Sequence, residues 1–361
     1  MKITFVKGSH CYDHVRVLKF SNYFKSRGID HGFVCWLREK SFKSPYDNEN
    51  YIFSGGGFGS SKLAFFYPLW MVKLFFHVLF NKYDKNNIFF VIDFDSALPV
   101  FLASFFNHDV KYIYDVHDDF SKRYKFPNFI KKTISSIDNY VKKSSLKTIH
   151  VDQSRVSNDD NNYLVIHNSP EDFFEDHYSS PHFPDNKVFC VSGLLTSRRG
   201  IKSIYNFAIK NKNVSFIVAG NVIDDIARKF VELDNVKYLG IVKQKLLFEE
   251  IKNCHAVFSL YDPTVEINRL AASNKFYDAI MLGIPIIVNR GLVVSDFVEK
   301  EKIGFVIDYD FNDTWTDLID FDNSIFLARG IKGRDLYERN FSYYTNFEKK
   351  LDSFLGLKNN V

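Results

Sequence analysis

Cysteine is scarce in this sequence of 361 residues, and the four cysteines stand far apart. Cys11, Cys35, Cys190 and Cys254 form no CxxC pair. Their spacing therefore excludes a dense disulfide framework and the usual pattern of zinc ligands. We interpret them as reduced core residues of a cytosolic protein, and we expect no metal site.

The sequence also lacks a hydrophobic run long enough to cross a membrane. The one candidate, AFFYPLWMVKLFFHVLF at 64–80, has 17 residues and contains Lys73 and His77, whereas a spanning helix needs about 20 apolar residues. Two interpretations of this helix stay open: a core helix packed on a sheet, or a helix lying in the plane of a membrane surface. The chain opens directly on the strand-like run MKITFVKG, so we expect no signal peptide.

Positive charge is in only slight excess overall, at +4, which does not by itself indicate nucleic acid as a partner. The charge is unevenly distributed, however. Residues 122–147 hold eight Lys or Arg and one acid, Asp138, so this segment carries +7. A solvated helix face is the usual explanation of such a run. Attraction to an anionic membrane surface is the alternative.

Short apolar segments of strand length recur along the chain, separated by segments of helix length. In the first half they lie at 2–8, 31–37, 88–94, 110–117, 147–152 and 163–167. In the second half they lie at 187–193, 214–220, 236–240, 256–261, 284–289 and 304–309. Continuous apolar runs are typical of strands buried on both faces, and their alternation with helices indicates parallel βαβ units. The two sets predict an α/β protein with two doubly wound parallel-sheet domains facing a cleft.

The segment between the two sets, NSPEDFFEDHYSSPHFPDN at 168–186, indicates a linker. It contains three Pro and five acids and shows no clear period. We therefore predict a first domain over 1–168, a linker over 169–186 and a second domain over 187–341.

Glycines and arginines follow the first two strands of the second half, where ligands bind in open parallel sheets. Gly193 ends one strand, and Arg198 and Arg199 precede the next helix. Guanidinium groups and amides at a helix start favour a phosphate. Gly220 ends the following strand, where a glycine lets a ligand approach closely. The alternatives are two surface arginines in a loop and an ordinary turn.

Lys275 and Asp278 stand three residues apart in ASNKFYDAIMLGIPIIVN, at 272–289, near the start of a predicted helix. Lys275 can neutralise a phosphate there, and Asp278 can accept hydrogen bonds from vicinal ribose hydroxyls. An ordinary ion pair between positions i and i+3 is the competing interpretation.

His117 lies among carboxylates at a strand end of the first half, in YIYDVHDDF. This clustering is typical of general-base catalysis or of hydroxyl recognition, and a solvated acidic loop is the alternative. The stretch GSHCYDHVRVLKF after the first strand contributes polar residues to the same rim. It lacks the GxGxxG pattern, which disfavours a dinucleotide site.

Together these motifs resemble the GT-B glycosyltransferases, most closely the large retaining family four found in bacterial polysaccharide gene clusters. Residues 272–289 are similar to that family's Asn-Lys-Leu-Phe-Glu-Tyr-Met-x-x-Gly-x-Pro-Val-Ile segment. The other similar stretches are 91–99, 113–120, 165–171, 192–201, 238–263 and 340–355. The family usually has Glu at the position of Asp278. It often has a further Glu at Leu270, and Glu266 lies close by.

The resemblance implies roles for individual residues. Arg199 and Lys275 would bind the donor diphosphate, and Asp278 would hold the ribose. The backbone near Ile241 and Val242 would receive the base, and His117 would lie between donor sugar and acceptor. The further donor-side residues it implies are Gly193, Arg198, Gly220, Glu266 and Asn274. In the first domain it implies Asp118 at the catalytic position and Gly8, His10, Asp13, Arg16 and Asp95 on the acceptor side.

The implied activity is retaining transfer of a hexose from a UDP- or GDP-sugar, without a metal ion or cofactor. The acceptor would be a membrane-linked glycan in the synthesis of a bacterial surface polysaccharide such as O-antigen, capsule or exopolysaccharide. We expect a cytoplasmic protein, peripheral on the inner face of the plasma membrane, that binds anionic lipid and no nucleic acid. A closing helix at 342–361 would cross back to the first domain. The alternatives are a nucleotide-sugar 2-epimerase or hydrolase of the same fold, and a non-catalytic partner of a transferase.

Overall fold

The structure, a computed structural model, describes residues 1–11, 14–38, 49–57, 63–123, 126–156, 160–271 and 273–357. It divides into two compact units, Met1–Ile166 and His167–Val361. Each unit contains one parallel sheet with helices connecting its strands. The predicted α/β class with two doubly wound sheets is therefore confirmed.

In its described residues, the first unit contains a seven-stranded sheet and five helices. Its strands are β1 (Lys2–Lys7), β2 (Asp30–Leu37), β3 (Glu49–Ser54), β4 (Asn87–Ile92), β5 (Lys111–Val116), β6 (Lys147–His150) and β7 (Tyr163–Val165). Its helices are α1 (Val15–Ser26), α2 (Leu63–Phe80), α3 (Phe94–Ser104), α4 (Phe120–Arg123) and α5 (Asn128–Ser144). All neighbours are parallel, in the order β3-β2-β1-β4-β5-β6-β7. Six strands are those the sequence predicts, and β3 is an additional edge strand.

Helices α2, α3 and α5 form one layer on the first sheet. Val91 and Tyr114 of the sheet share a buried cluster with Trp70 of α2, Val100 of α3 and Val141 of α5. Helix α1 packs on the opposite face of the sheet. We call the three helices on the shared face the α2–α3–α5 layer.

Helix α2 is apolar on both of its faces. Its buried side chains are Leu63, Tyr67, Trp70, Leu74 and Val78. The exposed side chains at Phe65, Leu69, Val72, Phe76 and Phe80 recur every three or four residues and form one stripe, with Phe65 77% and Phe80 73% exposed. We call these five residues the apolar stripe. The helix is thus a core helix on one side, with an outward side that also lacks acids. None of the helices in the described ranges is long and apolar enough to cross a membrane.

The second unit contains a six-stranded sheet. Its strands are β8 (Val188–Leu195), β9 (Ser215–Val222), β10 (Val236–Tyr238), β11 (Ala256–Ser259), β12 (Ile286–Asn289) and β13 (Gly304–Ile307). They are parallel, in the order β10-β9-β8-β11-β12-β13, and all six are predicted by the sequence. The helices are α6 (Ile201–Lys210), α7 (Asp225–Val231), α8 (Gln244–Ile251), α9 (Glu266–Arg269), α10 (Asn274–Leu282), α11 (Val293–Glu301), α12 (Asp317–Asp320), α13 (Asn323–Leu336) and α14 (Lys349–Leu355).

The winding of each sheet reverses at its first strand. The reversal lies between β1 and β4 in the first unit and between β8 and β11 in the second. In doubly wound sheets, ligands bind outside the carboxyl ends of the strands at this reversal. The residues that follow these four strands are therefore the ones to inspect for function.

The segment after 341 groups with the second unit. Asn346 donates to the carbonyl oxygen of His167 and to Ser169 Oγ, at 3.3 and 3.1 Å. The predicted linker also packs here, since Arg334 of α13 lies 2.7 Å from a carboxylate oxygen of Asp172. The crossing of 342–361 back to the first domain stays a prediction, and its last four residues lie outside the described ranges.

Candidate functional site

Glycines line the carboxyl ends of β8 and β9. Gly193 and Gly220 are paired in register, with φ of +98° and +134°. A side chain at Gly220 would place its Cβ 1.9 Å from the carbonyl oxygen of Gly193, so only glycine fits there. The amide of Gly220 in turn donates to the carbonyl oxygen of Gly240 at 2.8 Å. The result is a floor of bare backbone that a ligand can approach closely.

Lys275 lies beside this floor, in the first turn of α10. A Cβ on Gly193 would lie 3.4 Å from Lys275 Nζ, so the ammonium group sits directly over the bare α-carbon. It is also near the buried thiol of Cys190, whose pKa burial raises to about 12 although the lysine charge acts in the opposite direction. The structure thus brings together Gly193, Gly220 and Lys275, which the sequence analysis selected separately, at the carboxyl ends of β8 and β9.

Asp278 lies one turn after Lys275 on the same helix. Its Oδ1 accepts a hydrogen bond from Gln244 Nε2 at 3.2 Å. Gln244 opens α8 directly after the loop that contains Ile241 and Val242, and Ile241 is 79% exposed. The proposed ribose carboxylate and the proposed base-binding loop therefore lie side by side.

The two arginines after β8 lie in a short 3₁₀ turn at Ser197–Arg199. The Arg199 guanidinium stacks on the Tyr261 ring, 4.0 Å from its centroid, a cation–π contact that fixes the side chain. Arg198 is exposed, and its carbonyl oxygen accepts from the amide of Asp262. The turn thus sits against the residues that follow β11, at the reversal point of the second sheet.

The Asp224 carboxylate stabilises this turn by hydrogen bonds. Its Oδ2 accepts from the amide of Ser197 at 2.7 Å and from Thr196 Oγ1 at 3.0 Å. Burial by itself would raise the pKa of Asp224, but these hydrogen bonds outweigh it and lower the pKa. The remaining predicted donor-side residues, Glu266 and Asn274, are exposed at the first positions of α9 and α10.

In the first unit, His117 is bonded to a buried carboxylate. The His117 Nε2 atom lies 2.6 Å from Asp115 Oδ2. Arg16 donates to the same carboxylate through Nε and Nη2, at 2.8–3.2 Å. Burial would raise the pKa of Asp115, but the charges of Arg16 and His117 outweigh it and hold the pKa below its ordinary range. When the imidazole is neutral, an ionised Asp115 places its single proton on Nε2 and leaves Nδ1 as the acceptor nitrogen.

The loop that carries His117 is tied to a strained residue. Asp93 has φ 62° and ψ 163°, a region of backbone space that is nearly restricted to glycine. Its Oδ1 accepts from the amides of His117 and Asp118, at 3.1 and 3.2 Å. Strain of this kind persists where the surroundings enforce it and marks functional loops.

The predicted acceptor-side residues are mostly buried. His10, Arg16 and Asp95 are 3%, 4% and 2% exposed. A Cβ on Gly8 would fall 1.9 Å from Asp95 Oδ2, so these two residues touch. These buried residues lie under the carboxyl ends of the strands of the first sheet. Asp13 lies outside the described ranges. Contact of these residues with an acceptor stays a prediction.

No family model matches the sequence, and no curated protein does. Solved structures match it over nearly its whole length. Sucrose-phosphate synthase of Thermosynechococcus elongatus matches with a TM-score of 0.72 and 11% identity over 99% of both chains. The HepE protein of Anabaena, solved with UDP and glucose, matches with 0.69 and 14% over 99% of this chain and 100% of that one. A glycosyltransferase of Rickettsia africae matches with 0.64 and 15% over 100% and 99%.

These matches decide the fold. The chain has the GT-B fold. At these identities the likeness extends to the architecture of both units and no further, and it confirms the fold that the sequence motifs imply. Within this GT-B chain, the sequence motifs located Lys275 and His117. They did not select Asp93, Gln244 or Tyr261, because a strained dihedral, an amide next to a carboxylate and a stacked ring leave no pattern in a single sequence.

Proposed function

We propose that this protein is a glycosyltransferase that takes a sugar from a nucleotide-sugar donor and needs no metal ion to do so. The observation that carries the proposal is the ammonium group of Lys275 over the bare backbone of Gly193, which is paired in register with Gly220. A diphosphate fits this arrangement, because a charged donor binds phosphate oxygens and glycine lets them approach.

Charge stabilisation is the chemical task of these cations. When the bond between the sugar and the diphosphate breaks, negative charge develops on the departing nucleoside diphosphate. Lys275 and Arg199 lie at the same strand ends, and the stack on Tyr261 holds Arg199 in place. Cations fixed in advance stabilise such charge without reorganisation, which is the role a metal ion plays in other sites.

The nucleoside would lie along α10 and the loop before α8. Asp278 would accept hydrogen bonds from the ribose hydroxyls, with Gln244 orienting its carboxylate. The base would lie against the loop at Ile241 and Val242. The HepE structures contain UDP and UDP-glucose, which makes UDP-sugars the first donors to test here.

His117 would contact hydroxyl groups between the donor sugar and the acceptor. Its bond to Asp115 fixes the tautomer, and Nδ1 would accept a hydrogen bond from a hydroxyl. Asp115 would act by orienting His117, and Arg16 by holding the Asp115 carboxylate.

The acceptor, in our proposal, is a glycan linked to a membrane lipid. The α2–α3–α5 layer carries the apolar stripe on its outer side, and Lys132 and Lys143 of α5 are exposed on the same layer. The carboxylates of these three helices, Asp95 and Asp138, are both buried. Helices with an apolar stripe, exposed cations and no exposed carboxylate of their own fit the interface of an anionic bilayer. A soluble epimerase or hydrolase has no need of such a surface.

Calorimetry with UDP and with GDP, in buffer without added metal ions, tests the donor site. We expect one of the two to bind, and Lys275→Ala to weaken binding by about 1.5–3 kcal/mol, the range of a charged hydrogen bond. Lys300→Ala is the matched control, since the Lys300 side chain on α11 is 80% exposed. An unchanged affinity in Lys275→Ala would remove the basis of the proposal.

A further inference from the structure

Two cysteines of the first unit come together although 24 residues separate them in the chain. Cys11 follows β1, Cys35 lies in β2, and their Sγ atoms are 3.0 Å apart. Both side chains are completely buried. The parallel pairing of β1 with β2 brings them together.

Glu49, at the start of β3, completes a set of three possible ligands. One atom from each of Cys11, Cys35 and Glu49 lies within 4.8 Å of the other two. Glu49 Oε2 accepts a hydrogen bond from the Tyr51 hydroxyl. Glu49 Oε1 is buried and has no hydrogen-bond partner among the residues that the structure describes. A buried carboxylate oxygen left in that condition is costly, and a bound cation removes the cost.

We propose that Cys11, Cys35 and Glu49 bind a zinc ion. Two thiolates and a carboxylate are ordinary zinc ligands, whereas calcium and magnesium require oxygen ligands throughout. Binding releases the two thiol protons, so the ion with its three anionic ligands carries a net charge of −1. Lys7 is paired with Cys35 in register and is 7% exposed, and its ammonium group offsets that charge.

The geometry requires one local adjustment. At a Zn–S distance of about 2.3 Å, tetrahedral coordination separates two sulfurs by about 3.8 Å. The sulfurs of Cys11 and Cys35 therefore move apart by about 0.8 Å, which rotation of the Cys11 side chain in its loop supplies. A water molecule would fill the fourth position. The ion would join the loop after β1 to β2 and to the edge strand β3, and it would stabilise this edge of the sheet.

Metal content of the purified full-length protein tests this directly. After growth with zinc and dialysis, we expect about one zinc ion per chain by mass spectrometry of the metal. Cys11→Ser should lose it. Glu49→Gln keeps the shape of the side chain but removes its charge. It should lower zinc affinity by more than about tenfold, because loss of a residue that only hydrogen-bonds to a metal ligand already has an effect of that size. Cys190→Ala is the matched control, because the described residues place no such ligand set around this equally buried cysteine of the second unit.

The melting temperature of the wild-type protein is a second readout, and it does not depend on whether a variant folds. Removal of zinc from the wild-type protein with a chelator should lower its melting temperature, and added zinc should restore it. A wild-type protein that binds no zinc and shows four free thiols would overturn the proposal. So would a mass lower by about 2 Da with two free thiols, which identifies a disulfide between Cys11 and Cys35. Equal zinc loss in Cys190→Ala would also overturn it. None of these outcomes depends on the donor site.

Discussion

The apolar stripe on α2 should anchor the protein to anionic membranes, and Phe65→Ser combined with Phe80→Ser should weaken that anchoring. These rings are 77% and 73% exposed. A Phe side chain buries about 200 Å² when it is fully covered, so each ring presents about 150 Å² to water. At about 25 cal/mol per Å², complete transfer of each ring out of water is worth about 4 kcal/mol.

Only part of each ring enters the boundary between headgroups and acyl chains. If half of the exposed area leaves water, the two rings together contribute about 4 kcal/mol, or roughly a 10³-fold change in partitioning. Flotation with vesicles of phosphatidylserine and phosphatidylcholine measures this change. Leu246→Ser with Ile331→Ser is the matched control, since these side chains are 52% and 42% exposed in the second unit. The loss should persist at high salt, because apolar burial is not screened.

The basic residues of α5 should behave differently. Lys132→Glu with Lys143→Glu should weaken vesicle binding at low salt by about 1 kcal/mol per residue, and by much less at high salt.

A double serine variant at Phe65 and Phe80 that floats as well as the wild type would refute the assignment of the stripe. Trp70 is unsuitable for this test because it is fully buried, so its loss would damage the core.

Three further substitutions test the site and its surroundings. His117→Ala should lower turnover strongly while calorimetry shows nearly unchanged nucleoside diphosphate affinity; equal loss of both would place His117 on the donor. Asp115→Asn should lower the free energy of unfolding by about 3–5 kcal/mol in a urea titration, because it removes the carboxylate that faces the buried Arg16. The pKa of Asp115 is depressed in the fold, so its contribution is present above about pH 4 and is lost as the pH falls further. Burial lowers the pKa of His255 to about 4, so the unfolded chain binds the proton more readily; this group should lower stability by about 2–3 kcal/mol between pH 6.5 and 4, and His255→Asn should remove that part of the slope.

Many of the strands were predictable because they are buried on both faces. A continuous apolar run such as IFFVIDF has no other stable place than the interior of a sheet. Strand β3, a half-buried edge strand, was missed because its sequence ENYIFS mixes polar and apolar residues and so contains no continuous apolar run. Among the described residues, strand β3 pairs with β2 along one edge and has no paired strand along the other.

Helix α2 shows a different limit. Periodicity identifies a helix face by contrast between apolar and polar positions. Here both faces are apolar, so the sequence could not separate Trp70, which is in the core, from Phe76, which is exposed. Only the packing of α2 on the sheet distinguishes them.

The candidate site was predictable only where its residues lie close together in the sequence. Lys275 and Asp278 lie in a contiguous segment whose spacing can be compared with a known motif. The strain at Asp93 and the meeting of Cys11 with Cys35 depend on strand pairing and backbone geometry across the first unit. Spacing along the chain contains no trace of either.

Transfer of label from a nucleotide sugar to lipid tests the central claim most directly. The protein would be incubated without added metal salt, with bacterial membranes and a panel of radiolabelled UDP- and GDP-sugars, and the label extracted with the lipid would be counted. We predict that one donor labels a lipid-linked glycan with the wild-type protein and the Lys300→Ala control, and not with Lys275→Ala. Conversion of a donor to its epimer or to free sugar, with no label in lipid from any donor, would contradict the account.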